Sequence, residues 1–352
     1  MLPTDLNATL PSVGVAVDPV ASLLEVEQIR KWFALKRSGG VLPFSGTRQV
    51  PMLHAVDGVD LSIGVGESVG LVGESGCGKS TLVRLITRTL DPTAGAIRFG
   101  GENITGIPAR AFARVPQRKL IQMVFQDPTD SLNPRHTARD TIAEPLRLLG
   151  RLSGGALARR IDEVAGLVQL PRELLARYPH QLSGGQKARV GIARAISLEP
   201  KLLILDEPTA ALDVSVQAVI LHLLADLKEQ LGMSYLFVSH DLNIGRLLCD
   251  RVLVMYLGKI VESGPAQQVF RSPRHPYTRA LLSAIPGLSG GASKRIRLDG
   301  DPTSPVDPKP DRCRFYGRCP KGEHFCMDTA PELKPLGPGH FTACHFPEPG
   351  VG

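Results

Sequence analysis

The sequence predicts an α/β fold in which helices cover both faces of a largely parallel sheet. Short, fully apolar runs at 69–72, 202–205 and 235–238 alternate with helix-length amphipathic segments, which is typical of strands buried on both faces. Polar residues stand at or just after the ends of such runs, and ligands of these sheets bind at the carboxyl ends of the strands. We therefore expect four side chains to converge on one site: Gln126, Asp206, Glu207 and His240.

The rest of the chain supplies the strands and helices around that site. Alternating residues at 23–33 predict an edge strand, and a Gly- and Pro-containing insert at 38–51 predicts a surface loop. Apolar periodicity at 133–170 predicts helices that are interrupted by a turn at Ser153, Gly154 and Gly155. Further strands are predicted at 53–65, 95–101 and 120–126, further helices after residue 186 and at 214–231, and a hairpin at 252–261.

Composition sets the outer limits of what this chain can be. Its 352 residues allow one large domain with an appendage, or two domains. Apolar residues make up 43% and aromatic residues 5%, so the core should be aliphatic. No run approaches the roughly 18 apolar residues of a membrane-spanning helix, and residues 1–21 lack the basic start of a secretory signal. A net charge of +7 fits anionic partners without choosing among nucleotide, lipid and nucleic acid.

A glycine-rich turn stands between the apolar run at 69–72 and the start of a helix. It fits the G-x-x-x-x-G-K-[ST] pattern of a phosphate-binding loop, in which glycines let successive N–H groups face one anion and the helix dipole adds positive potential. Lys79 can reach the β- and γ-phosphates, and the Ser80 hydroxyl can bind Mg²⁺. The predicted nucleotide-binding residues of the loop are Gly73, Glu74, Ser75, Gly76, Cys77, Gly78, Lys79, Ser80 and Thr81.

Two carboxylates end the apolar run at 202–205. Asp206 is placed to hold the water that orients a magnesium ion, and Glu207 is placed to polarise an attacking water as general base. A strand-end Asp-Glu-Pro turn is common by itself. Beside a phosphate loop it indicates nucleotide hydrolysis.

A second glycine turn precedes the helix after residue 186 and also offers an anion site. It consists of Leu182, Ser183, Gly184, Gly185 and Gln186. The order of phosphate loop, Gln126, this turn, Asp206 with Glu207, Asp213 and His240 resembles the nucleotide-binding domain of ABC transporters. That resemblance implies two domains packed head to tail around two ATP molecules. Each ATP would touch the phosphate loop of one chain and the signature turn of the other.

The same resemblance implies a role for each motif. Lys79, Ser80 and Thr81 would hold phosphate and Mg²⁺, with Asp206 assisting the metal ion. Glu207 would be the base, and His240 would clamp the γ-phosphate. Gln126 would sense the γ-phosphate through metal and water and would contact the membrane subunit. Ser183 and Gly185 would serve the partner's ATP, Asp213 would cross the dimer interface, and Phe33 would stack on adenine, with Trp32 as the alternative.

Two further segments resemble one branch of that family. Residues 274–286 look like the extension typical of ATPase subunits in dipeptide/oligopeptide importers, and residues 124–134 look more like the second, F-type, subunit than the first. This branch implies an ATP-hydrolysing subunit at the cytoplasmic face of the inner (plasma) membrane. Its expected partners are a second ABC ATPase subunit, which we expect to be a paralogue, two transmembrane permease subunits and an extracytoplasmic solute-binding protein. No nucleic-acid partner is expected.

Four of the six cysteines lie within the last forty residues: Cys313, Cys319, Cys326 and Cys344. Four thiolates suit Zn²⁺ or an iron–sulfur cluster, and reduced thiols are a third interpretation. Zinc sites usually include two cysteines separated by only two to four residues. No such pair occurs among these four cysteines, which favours a [4Fe–4S] cluster. Similar tails in this importer branch are associated with such clusters.

The chain is accordingly expected to have three parts. These are a disordered tail at 1–21, a nucleotide-binding domain at 22–270 with an antiparallel β subdomain and a helical subdomain at about 130–195, and an importer-type extension at 271–352 with the four-cysteine segment 313–344. A soluble ABC ATPase that acts on nucleic acid or the ribosome is one alternative function. Import of a nickel chelate or glutathione is another. A third is a binding module that senses iron or redox state and uses ATP only as an allosteric ligand.

Overall fold

The computed structural model describes residues 22–35, 50–240, 242–285, 296–298, 300 and 304–350. The tail expected at 1–21 and most of the loop expected at 38–51 lie outside the described residues. Among the described residues, we find no helix that combines the length and the hydropathy needed to cross a bilayer.

Strands and helices are interspersed along the chain. The strands are β1 (Ser22–Ala34), β2 (Met52–Gly64), β3 (Ser68–Val72), β4 (Ala94–Phe99), β5 (Glu102–Asn103), β6 (Ile121–Val124), β7 (Leu202–Asp206), β8 (Ser234–Ser239), β9 (Arg251–Tyr256), β10 (Lys259–Pro265), β11 (Lys334–Gly337) and β12 (His340–Thr342). The α-helices are α1 (Lys79–Ile86), α2 (Ala109–Phe112), α3 (Gln117–Leu120), α4 (Ala138–Leu148), α5 (Gly154–Leu167), α6 (Gly184–Ile196), α7 (Val214–Leu231), α8 (Leu242–Leu248), α9 (Ala266–Arg271), α10 (Pro276–Ser283) and α11 (Phe325–Asp328).

The larger sheet has the strand order β11-β12-β10-β9-β3-β8-β7-β6. Strands β9, β3, β8, β7 and β6 are parallel, and β10, β12 and β11 extend this sheet in antiparallel pairing. The register sets Val72 beside Ser239 and Asp206 beside Val238. The carboxyl ends of these strands therefore lie at one edge, and the predicted parallel-rich α/β architecture is confirmed.

Two details of the predicted elements are wrong. Strand β1 is not an edge strand, since β2 and β4 pair with it on either side. Its alternating pattern reflects one buried and one open face, which an internal antiparallel strand shows equally well. The glycines at 154–155 do not form a turn either. They begin helix α5, with Ser153 in extended conformation at its N-cap.

The large sheet separates two hydrophobic cores. Successive side chains of a strand point to opposite faces, so Leu202 and Ile204 of β7 enter one core while Leu203 and Leu205 enter the other. The first core includes α1 and the smaller sheet β2-β1-β4-β5, and the second includes α4, α5, α6 and α7. Burial on both faces explains why these strands are apolar at every position.

The C-terminal extension docks on the large sheet through a buried carboxylate. Glu262 of β10 is fully buried and accepts N–H donors from Arg274 at 2.7 Å and His275 at 2.9 Å. A ring nitrogen of His340, on β12, lies 2.8 Å from the same carboxylate. Three partners satisfy this buried carboxylate, which would otherwise be costly to desolvate. They fix helix α10 and strand β12 against the rest of the chain.

Candidate nucleotide site

The glycine-rich turn leaves the centre of the large sheet and runs into helix α1. Gly78 is the N-cap of α1 with φ 114°, a left-handed conformation that favours glycine. A Cβ built on Gly78 would lie 2.2 Å from the carbonyl oxygen of Ala55. The loop is therefore pressed against β2, and only glycine fits at this position.

The lysine of the loop is buried beneath the loop's own backbone. Lys79 Nζ donates to the carbonyl oxygens of Gly73 at 2.7 Å and Glu74 at 3.0 Å. Cys77 is buried 3.9 Å from this ammonium, and burial raises the pKa of its thiol. Ser75, Gly76 and Ser80 are exposed, so the anion-binding side of the loop is open to solvent.

Three of the four side chains predicted to converge are in direct contact. Gln126 Nε2 donates to one carboxylate oxygen of Glu207 at 3.0 Å, and His240 Nδ1 lies 3.0 Å from the other. Glu207 has φ 46°, a conformation that costs a non-glycine residue on the order of 1–2 kcal/mol. Strain held at a strand end is typical of functional sites. The arrangement presents one carboxylate that is oriented from both sides.

The fourth side chain, Asp206, lies on the side of the phosphate loop. Burial is the main cause that raises the pKa of its carboxyl, and the neighbouring Glu207 raises it further, while Lys79 and Arg84 oppose the shift. A divalent cation would favour the ionised form. The carboxylate of Asp206, the Ser80 hydroxyl and the Gln126 amide oxygen are the hard oxygen donors that Mg²⁺ prefers, so the donor set fits this ion.

Comparisons with known proteins agree with this geometry. A model of the ABC transporter family matches residues 56–210, and a model of the oligopeptide/dipeptide transporter C-terminal region matches residues 261–326. The oligopeptide transport ATP-binding protein AppF of Bacillus subtilis (strain 168) is 44% identical over 328 residues, covering 92% of this chain and 97% of that protein. The chain belongs to the ABC transporter family. Its branch is that of the oligopeptide/dipeptide transporters, and it is an ATP hydrolase.

Further relatives support the same assignment. A Brucella ovis protein whose name describes peptide import ATP binding is 45% identical over 293 residues, 83% of this chain and 92% of its own. A dimeric post-hydrolysis structure of the ATP-binding cassette MJ0796, bound to ADP and Pi, has a TM-score of 0.60 at 28% identity, covering 69% of this chain and 98% of that one. For cbiO1 from Clostridium perfringens, part of the cbiONQ complex, the TM-score is 0.58 at 31% identity, with coverage of 71% and 90%.

The signature turn of this ABC ATPase begins helix α6, which packs against β6, the edge strand of the large sheet. Ser183 caps α6 in a reciprocal capping box with Gln186, at 2.9 and 3.3 Å. A Cβ on Gly185 would lie 2.8 Å from Val216, so glycine allows α6 to approach α7 closely. Strand β6 lies three strands from β3, or about 14 Å at the usual strand spacing.

The remaining residues of the predicted site are spread over the surface. Leu182 is buried, whereas Ser183 and Gly184 are exposed. Asp213 is the exposed N-cap residue of α7, and its side chain makes no capping hydrogen bond. Its role at the dimer interface stays a prediction.

Both aromatic candidates for adenine stacking lie half-buried near the end of β1. Trp32 stacks on His54 with ring centroids 4.2 Å apart, and its indole N–H donates to Asp57 at 3.2 Å. Phe33 lies under the Lys31 ammonium, 5.2 Å from the ring centroid. Since each ring already has a partner, the choice between them stays a prediction.

Two residues that contact the loop were not predicted from sequence. Tyr277 and Arg318, both from the C-terminal extension, bind Glu74 of the phosphate loop. They lie 203 and 244 residues further along the chain, and no local pattern marks a contact over such a separation. The one sequence feature that could have drawn attention to Arg318 is its position directly before Cys319.

Proposed function

We propose that this ATPase drives the uptake of di- and oligopeptides through separate membrane subunits. The observation that carries the proposal is the 44% identity to an oligopeptide transport ATP-binding protein over 92% of the chain, extension included. A soluble ABC ATPase acting on nucleic acid or the ribosome is disfavoured, because residues 261–326 match a transporter-specific region. The proposed assembly has two permease subunits, a solute-binding protein and a second ATPase subunit, with this chain at the cytoplasmic face of the membrane.

We propose that Glu207 is the general base in this assembly. It would polarise the attacking water while Lys79 and the loop N–H groups hold the phosphates. The signature turn, with Ser183 and Gly185, would complete the ATP site of the second subunit. Two observations support a composite site: Ser183 and Gly184 are exposed, and α6 packs against β6, which is three strands from β3.

Solute identity is tested with the whole transporter. The chain is co-purified with its permeases and binding protein, reconstituted in liposomes, and assayed for ATP hydrolysis with a dipeptide, a longer peptide, glutathione or a nickel chelate. Stimulation by peptides alone supports the proposal. Stimulation by glutathione or the nickel chelate alone would replace the solute and leave the ATPase assignment intact.

We also propose that the four-cysteine segment holds a [4Fe–4S] cluster. The comparisons give this no support, and in the described ranges no group of three or more His, Cys, Asp or Glu side chains is arranged to hold a metal ion. All four cysteines nevertheless line one cavity, together with Phe315 and His345. A cluster spreads its ligands around four irons, so it needs more widely spaced thiols than a single zinc ion.

Burial, and then the neighbouring cysteines, raise the thiol pKa of three of these residues, Cys313, Cys319 and Cys344, which favours their protonated forms in the absence of a metal. The pKa of Cys344 is raised to about 11, mainly by burial and then by its cysteine neighbours. A bound cluster would reverse this, because ligation deprotonates the thiol. Iron and sulfide analysis of anaerobically purified protein tests the proposal, with Cys319→Ser as comparison. Colourless, iron-free protein that binds zinc would defeat it.

A further inference from the structure

Glu74 of the phosphate loop is held at three points, two of them by the C-terminal extension. Its carbonyl oxygen accepts from Lys79 Nζ at 3.0 Å. Its N–H donates to the Tyr277 hydroxyl at 2.9 Å, and its carboxylate accepts two N–H groups of Arg318 at 2.8 and 3.1 Å. The extension and the phosphate-binding lysine therefore meet on the same residue.

The Arg318–Glu74 contact differs from an ordinary surface ion pair. It is bidentate, and the side chain of Arg318 is only 9% exposed against 28% for Glu74. Exposed pairs contribute little, but forked guanidinium–carboxylate pairs fix geometry as well as charge. The hydrogen bond from Arg318 to Glu74 raises the pKa of the guanidinium. The contact is suited to holding the loop in one conformation.

Tyr277 is equally constrained. Its side chain is fully buried, and its ring packs 4.7 Å from Tyr256 and 5.5 Å from Phe315, centroid to centroid. Phe315 also lines the cysteine cavity. A rigid aromatic cluster thus connects the cysteine segment to the hydroxyl that accepts the Glu74 N–H.

A second arginine of the same segment supports the loop indirectly, near Cys77. Arg314 donates to the Leu257 carbonyl and forms an ion pair with Asp57. Gly258, which follows Leu257 in the chain, donates its N–H to the carbonyl of Cys77 at 2.7 Å. The extension therefore supports the phosphate loop at both its beginning and its middle.

We propose that Arg318 and Tyr277 are positioning residues for ATP binding. Through Glu74 they fix the loop conformation in which Lys79 and the backbone N–H groups receive the phosphates. They act on the loop and have no contact with the reacting atoms. The proposal concerns the ATP site alone, so it holds whatever the solute is and whatever the cysteines bind.

The test is Mg-ADP affinity of the full-length chain, measured by calorimetry well below its unfolding temperature. Arg318→Gln should weaken binding about tenfold, equivalent to about 1.4 kcal/mol, and Tyr277→Phe about threefold or more. Arg318→Lys, which restores the charge but not the fork, should recover part of the loss. Arg312→Gln is the matched control, because it removes the same charge from the same segment at an arginine that stacks on Tyr316.

A double-mutant cycle separates positioning from general destabilisation. Glu74→Gln, Arg318→Gln and the double variant should weaken Mg-ADP binding by similar factors, because each breaks the same contact. In the assembled transporter the KM for ATP should rise, while kcat at saturating ATP changes less than about twofold. Affinities within twofold of wild type in Arg318→Gln and Tyr277→Phe, or fully additive losses in the cycle, would overturn the proposal.

Discussion

Glu207 is the side chain of the site that two neighbouring residues contact directly. It follows a strand, adopts a left-handed conformation at φ 46°, and touches both Gln126 and His240 at 3.0 Å. Each partner comes from a different segment of the chain, and the parallel register brings the three together. A proposed base in this position is oriented before the nucleotide arrives, which lowers the reorganisation needed for catalysis.

Asp206 gives a stability prediction at the same scale. Burial raises the pKa of its carboxyl above the ordinary 3.8, so the unfolded chain ionises first as pH rises, and ionisation then favours unfolding. Without Mg²⁺, Asp206→Asn should therefore raise the melting temperature at neutral pH, and the gain should shrink towards pH 4. Thermal unfolding across that range measures it.

Adding Mg-ADP to the wild type and to Asp206→Asn is the control for this stability prediction. In the wild type, Mg-ADP should offset the cost of the buried carboxylate, so the variant should gain less stability from the ligand. A variant that is less stable than wild type at neutral pH without Mg²⁺ would contradict this account of the carboxylate. A gain that does not vary with pH would contradict it as well.

Helix ends explain how the helical segments between Gln126 and the β7 strand are fixed. Thr137 caps α4 with a complete capping box to Asp140, and its hydrogen bond is the main cause that lowers the pKa of that carboxyl. Ser183 caps α6 in the same way. Ser153, at the start of α5, makes no side-chain capping bond. Helices α4 and α6 pack on each other, so these caps set the position of the signature turn.

The contrast between two caps is testable by equilibrium unfolding in urea. Thr137→Ala should destabilise the protein by about 1 kcal/mol, the usual cost of a lost N-cap. Ser153→Ala should cost much less, since no capping bond is lost there. Thr137→Ser should recover most of the stability. Equal losses in the two alanine variants would show that the Thr137 cap contributes nothing specific.

Much of the fold and site could be predicted because the evidence is local. Strands such as β7 and β8 are apolar throughout, and the phosphate loop and signature turn are short motifs in a fixed order. The position of β1 inside its sheet could not be predicted, because strand pairing depends on partners distant in sequence. The contacts of Tyr277 and Arg318 with Glu74 were missed for the same reason. Side-chain packing across 203 and 244 residues leaves no periodic signal.

At the scale of the whole molecule, the site and the extension form one connected structure. The phosphate loop leaves the centre of the large sheet, the signature turn lies near β6, and the extension reaches back to Glu74. An exposed signature turn on a helix that packs against β6, three strands from β3, fits a site completed by a second chain. The dimeric MJ0796 cassette, with its ADP and Pi, is similar in fold.

The central claim is that the chain binds ATP at the phosphate loop and hydrolyses it through Glu207. The most direct measurement is ATP turnover by the reconstituted transporter carrying Glu207→Gln, with Glu229→Gln on the exposed part of α7 as the matched control. We predict that Glu207→Gln retains Mg-ATP binding while turnover falls at least about 100-fold, the usual contribution of a general base, and that the control keeps wild-type turnover. Turnover by Glu207→Gln within a few-fold of wild type would contradict the claim.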